Sequence, residues 1–135
     1  MGEKTTYDPR SGLRQFFGGK PDILVVILYG SFARHGAGPK SDVDVGIYPQ
    51  NPMDPLTLAT MATDLGQALG REVDLVDLRE AHGAILEEVI VRGEHLIVRD
   101  PEVMARLLKR MWYEKEDDAR FRQITWQERL RQWDK

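Results

Sequence analysis

The chain has 135 residues, 41% apolar and 30% charged, with a net charge of −3 and no cysteine. That length supports one domain with its own core, and the absence of cysteine excludes disulfides and cysteine–zinc centres. No apolar run approaches the roughly 18 residues of a membrane span, and the negative balance argues against broad, direct binding to nucleic acid, which needs a basic surface.

The opening MGEKTTYDPR has no apolar leader stretch, so a cytoplasmic chain is expected. A short helix over 9–17 follows, with Asp8 as N-cap, Pro9 as first helical residue and Gly18-Gly19 as the stop. DILVVILY (22–29) is a continuous aliphatic run, too short for a buried helix, and reads as a central strand covered on both faces. Residues 31–36 are expected to make one or two helical turns before Gly36 and Gly38. DVDVGIY (42–48) alternates polar and apolar residues and reads as a second strand.

NPMDP forms a loop, and residues 54–69 carry Leu58, Ala62, Leu65 and Leu69 at helical spacing before a stop at Gly70. EVDLVDL (72–78) is a third strand. Residues 81–93 read as a helix with Ile85, Leu86, Val89 and Ile90 inward, and HLIV (95–98) as a fourth strand. From Pro101 to about Trp133 neither glycine nor proline interrupts, so one long helix or two abutting ones is expected. The fold class is α/β (α+β): a mixed sheet of about four strands flanked by helices over 1–100, with a helical extension over 101–135.

Chemistry concentrates between residues 30 and 74. The buried strand runs into Gly30, whose missing Cβ lets backbone approach a ligand. Ser31 opens the following short helix, where its hydroxyl and free N–H groups suit phosphate oxygens. Asp42 and Asp44 are one residue apart on a strand, so both carboxylates share a face while Val43, Val45 and Ile47 take the other. Such a pair is repulsive without a cation, and oxygen ligands of this kind suit Mg²⁺. Asp74 shares a face with Glu72 and Val76, and it joins the pair if its strand lies alongside. Asp77 is the rival, although Asp77-x-x-Glu80 has the form of a helix-capping box.

Gly-Ser, ten residues, Asp-x-Asp and a carboxylate on a following strand resemble the DNA polymerase beta-like nucleotidyltransferase superfamily. The small size resembles its minimal nucleotidyltransferase (MNT) family, over about residues 10–100. The resemblance implies a nucleotidyltransferase fold in which Gly30 and Ser31 hold the triphosphate of ATP. It also implies two Mg²⁺ ions, with Asp42 and Asp44 ligating both and Asp74 ligating one while helping to activate the acceptor. Arg34 either reaches the γ-phosphate or is an exposed helix residue. Lys40, His35, His82 and His95 read as solvent-side or strand-end residues, and Tyr29 as packing.

Residues 101–135 hold five of the eleven aromatics. Trp112, Ala119, Trp126 and Trp133 recur every seven residues and line one helix face, flanked by Leu108 and Leu130. As one helix the 35 residues would span about 50 Å, against an expected radius of gyration of about 14 Å for the whole chain. The stripe either packs back on the domain or meets another chain, in a homo- or hetero-oligomer. The family resemblance implies a partner: MNT proteins are commonly paired with HEPN toxins. They act as antitoxins by moving AMP from ATP to a toxin tyrosine hydroxyl. Non-catalytic neutralisation by occlusion and transfer to a small molecule are the other two readings.

Overall fold

The computed structural model describes residues 7–34, 37–38 and 40–116. Helix α1 (Arg10–Gly18) buries Leu13 and Phe17. It begins one residue later than expected, with Pro9 in the N-cap position, yet Asp8 Oδ1 still accepts the Arg10 N–H at 3.0 Å. Strand β1 (Ile23–Tyr29) follows, then β2 (Val43–Pro49), α2 (Pro55–Leu69), β3 (Val73–Asp77), α3 (Ala84–Arg92) and β4 (Glu94–Val98). Residues 101–116 form a further helix, α4. The remainder of the expected tail helix, with Ala119, Trp126, Leu130 and Trp133, lies outside the described residues.

The four strands make one mixed sheet in the order β3-β2-β1-β4. β1 is antiparallel to β2 and to β4, whereas β2 and β3 are parallel. The aliphatic run of β1 is explained by its place: it is an inner strand, and the sheet is covered on both faces. On one face Leu13, Phe17 and Leu65 from α1 and α2 pack on Val43, Val45 and Ile47. On the other, Leu86, Val89 and Ile90 of α3 and Val103, Met104 and Leu107 of α4 pack on Val25 and Ile27.

Two local features hold this second layer close. A Cβ on Gly46 would stand 2.7 Å from Val89 Cγ1, so the bare glycine lets α3 sit low over β2. Arg110 of α4 reaches back to donate to the Leu78 carbonyl at 2.7 Å. Helix α2 matches its sequence reading closely: Asp54 accepts the Thr57 N–H at 2.8 Å, and Gly70 ends it in the left-handed conformation.

Three expectations are corrected. Helix α3 starts at Ala84 rather than 81, because Gly83 takes φ 66° and turns the chain there. Its buried stripe is Leu86, Val89 and Ile90, so Ile85, one step before the stripe, points outward and is 38% exposed. Asp77 does not head a capping box. Its Oδ1 accepts the Arg79 N–H at 2.9 Å in a tight turn well before the helix begins.

Candidate active site

At the end of β1, Tyr29 pairs with Asp44 across the antiparallel ladder, and Asp44 pairs with Asp74 across the parallel one. Gly30 follows Tyr29 at φ 74°, a conformation that residues with a Cβ adopt only with strain. A Cβ there would also overlap Asp44 Oδ2, so the glycine makes room for that carboxylate. The chain then passes through a single 3₁₀ turn, Gly30–Phe32, with Ala33 N donating to Gly30 O at 3.1 Å. Ser31 stands half exposed on it. A three-residue turn aligns too few peptides for a helix dipole. The short helix expected at Ser31 is a single 3₁₀ turn among the described residues, and anion holding would rest on the Ser31 hydroxyl and local N–H groups.

Val43, Val45, Ile47 and Leu75 all face α1 and α2, so strand alternation sends Asp42, Asp44 and Asp74 together to the opposite face. Asp42 and Asp74 are exposed, and Asp44 is half-buried between them. Burial, then the charges of Asp74 and Asp42, push the Asp44 carboxyl above the usual aspartate range. Among the described residues no three carboxylates or imidazoles close into a metal cage. Mg²⁺ does not require one: it keeps waters and binds one or two carboxylates plus substrate phosphates. An all-oxygen set on one face, with its central member repelled by its neighbours, fits that ion.

The structure adds two residues to the neighbourhood. Tyr29, expected to be packing alone, is buried with its phenol held well above its ordinary pKa by burial and then by Asp44, Asp74 and Glu88. Glu88 of α3 is thus a further carboxylate beside the site. Its oxygens lie 3.4 Å from Arg34 and 3.5 Å from Arg92. The one sequence signal for it was an acidic residue bordering the apolar stripe Leu86, Val89 and Ile90. Arg34 itself is more than half exposed, and such a pair is worth about 1 kcal/mol or less. Its guanidinium can leave Glu88 for a stronger anion at little cost.

The other candidates fall outside the cluster. Lys40 is exposed and His35 is not among the described residues. His82 contacts Glu114 at 2.6 Å, and His95 contacts the Ile90 carbonyl at 2.9 Å. A cleft of about 420 Å³ lies at the other end of the sheet, beside Ile23 and Pro49, and takes no part in the carboxylate site.

Comparison with known proteins gives the family and the fold. The family model described as Polymerase beta, Nucleotidyltransferase matches residues 12–102. Protein adenylyltransferase MntA of Shewanella oneidensis is 30% identical over 76 residues, 56% of this chain and 55% of that protein. The match thus spans about half the length of that relative. A toxin–antitoxin crystal structure with AMP-PNP superposes with a TM-score of 0.75 at 22% identity, covering 86% of this chain and 94% of that one. A structure of the tri-AMPylated Shewanella oneidensis HEPN toxin with its MNT antitoxin gives a TM-score of 0.64 at 22% identity, covering 86% and 92%. At these identities the superpositions establish the shared fold.

Proposed function

Since the chain belongs to the polymerase beta nucleotidyltransferase family, we propose that it transfers AMP from ATP to a tyrosine hydroxyl of a HEPN-type toxin and thereby acts as its antitoxin. The observation that carries this reading is the register Asp44↔Asp74 beside the Gly30–Ser31 turn, which sets carboxylates on one face next to a turn where Gly30 packs directly on Asp44. The MntA relative is a protein adenylyltransferase, and the structurally similar MNT antitoxin is bound to an AMPylated HEPN toxin. No helix among the described residues is long and apolar enough to cross a membrane, and the proposed place of action is the cytoplasm, where ATP is made available.

In this reading Gly30 and Ser31 hold the triphosphate, and Arg34 swings from Glu88 to the γ-phosphate. The acceptor oxygen attacks the α-phosphorus, the bond from that phosphorus to the β-phosphate bridge breaks, and pyrophosphate leaves. Asp74 takes the proton of the acceptor hydroxyl. Two Mg²⁺ ions, held by Asp42 and Asp44 with Asp74 on one of them, supply neutralisation of the phosphate charge when bound. Extension 101–135 supplies the partner contact, beginning with Leu108, Trp112 and Tyr113, which are exposed on α4.

Incubation with labelled ATP, Mg²⁺ and a HEPN-type toxin tests the reading. Label on a toxin tyrosine, absent with Asp44→Asn, is the expected result. A toxin neutralised without label would replace transfer by occlusion, and label on a small molecule would replace the acceptor.

A further inference from the structure

Gly38 and Ser41, just before the Asp42–Asp44 pair, are held from elsewhere in the chain. Arg71 lies in the link between α2 and β3, three residues before Asp74. Its guanidinium carbon sits 4.2 Å from the centre of the Tyr7 ring and 5.4 Å from that of Phe32. Those rings meet edge to face at 5.7 Å. Arg71 Nη1 donates to the Gly38 carbonyl at 3.3 Å and to the Ser41 carbonyl at 3.2 Å. Gly38 and Ser41 are also bonded to each other, with Ser41 N donating to Gly38 O at 3.2 Å and Gly38 N to Ser41 Oγ at 2.7 Å.

One cation therefore touches Phe32, one residue past Ser31, and Ser41, one residue before Asp42, while its own backbone leads into Asp74. We infer that Arg71 is a positioning residue that sets the phosphate turn and the three carboxylates relative to one another. A planar guanidinium suits this task because it stacks on rings with its face and donates to carbonyls with its edge. Lysine offers charge without that fork. With its face on two rings and its Nη1 on two carbonyls, Arg71 acts through the geometry of the site. Its effect on nucleotide rests on the nucleotidyltransferase reading. Its grip on the loop does not.

The test compares Arg71→Met and Arg71→Lys with the wild-type full chain. Amide hydrogen exchange in the metal-free protein is followed by NMR at Ser41 and at β1 residues Val26 and Ile27, and Mg²⁺–ATP affinity by calorimetry. Loss of two carbonyl hydrogen bonds sets the expectation: in Arg71→Met, Ser41 protection and Mg²⁺–ATP affinity each fall about tenfold or more, with β1 amides unchanged. Arg71→Lys should recover part of both. Unchanged exchange at Ser41 overturns the clamp, as does a rise shared equally with Val26 and Ile27, which would mark a general stability role. Faster Ser41 exchange with wild-type nucleotide affinity confines Arg71 to the loop and overturns its effect on the site. If wild-type chain binds no Mg²⁺–ATP, the nucleotidyl reading fails, and Ser41 exchange still judges the clamp.

Discussion

Gly30 lies directly against the carboxylate of Asp44, with no space between them for even a methyl group. Gly30→Ala therefore meets two penalties, about 1–2 kcal/mol for a Cβ at φ 74° and the displacement of the Asp44 carboxylate. Gly70 is the matched control. It has φ 69°, and a Cβ added there would meet nothing within 4 Å, so Gly70→Ala carries the backbone cost alone. Both variants should melt lower than wild type by calorimetry, and only Gly30→Ala should lose Mg²⁺–ATP binding.

Asp44→Asn should lower transfer by about 10²-fold or more, through lost charge stabilisation at the reacting phosphate. The same change should raise the melting temperature of the metal-free protein at neutral pH. The Asp44 carboxyl is pushed up by burial, then by Asp74 and Asp42, so the fold favours its protonated form. That preference stabilises fully below the ordinary aspartate pKa of about 3.9 and is lost as pH rises through the higher folded value. The advantage of the asparagine should accordingly shrink to nothing on acidification below about pH 3.9. Calorimetry in chelator across that range measures it, and a variant less stable than wild type at neutral pH would contradict the repulsion.

Asp74→Ala and Asp77→Ala should separate cleanly. Asp74 pairs with Asp44 on the site face, whereas Asp77 pairs with Ile47 and spends its carboxylate on the Arg79 N–H. Asp74→Ala should remove most activity with the melting temperature held. Asp77→Ala should cost about 0.5–1.5 kcal/mol for the lost hydrogen bond and keep the rate per folded molecule.

Helix α4 offers a parallel contrast between its two faces. Leu107 is fully buried against the sheet, and Leu107→Ala should cost about 2–5 kcal/mol in denaturant unfolding. Trp112 is 61% exposed, so Trp112→Ala should leave stability nearly unchanged while weakening association with a toxin partner in a binding titration.

Much of the candidate site was legible because it depends on local periodicity. Alternation along 42–48 puts Asp42 and Asp44 on one side of their strand, and alternation along 72–78 sets Asp74 opposite Leu75; only the pairing of Asp44 with Asp74 brings the three to one face. Helix α2 was legible for the same reason, with its cap and its left-handed glycine at either end. What escaped depends on contacts distant in sequence. Nothing near Arg71 announces that it reaches Gly38 and Ser41, or near Glu88 that it borders Tyr29. The capping-box pattern at Asp77 was misleading because a turn and a helix start share their first residues' chemistry; the helix waits for the positive-φ Gly83 and begins at Ala84.

The strand order has a consequence for how the protein fails on heating. Asp44 is carried by an inner strand with a neighbour on each side, but Asp74 is carried by β3, a five-residue edge strand paired to β2 alone. Edge segments open locally at a smaller free-energy cost than the whole fold. Warming should thus peel Asp74 away while the inner strands β1 and β2 remain joined, leaving a molecule that is largely folded by circular dichroism yet inert. Heat inactivation is expected to run several degrees ahead of melting, and saturating Mg²⁺–ATP, by pinning the edge strand to the rest, should bring the two together.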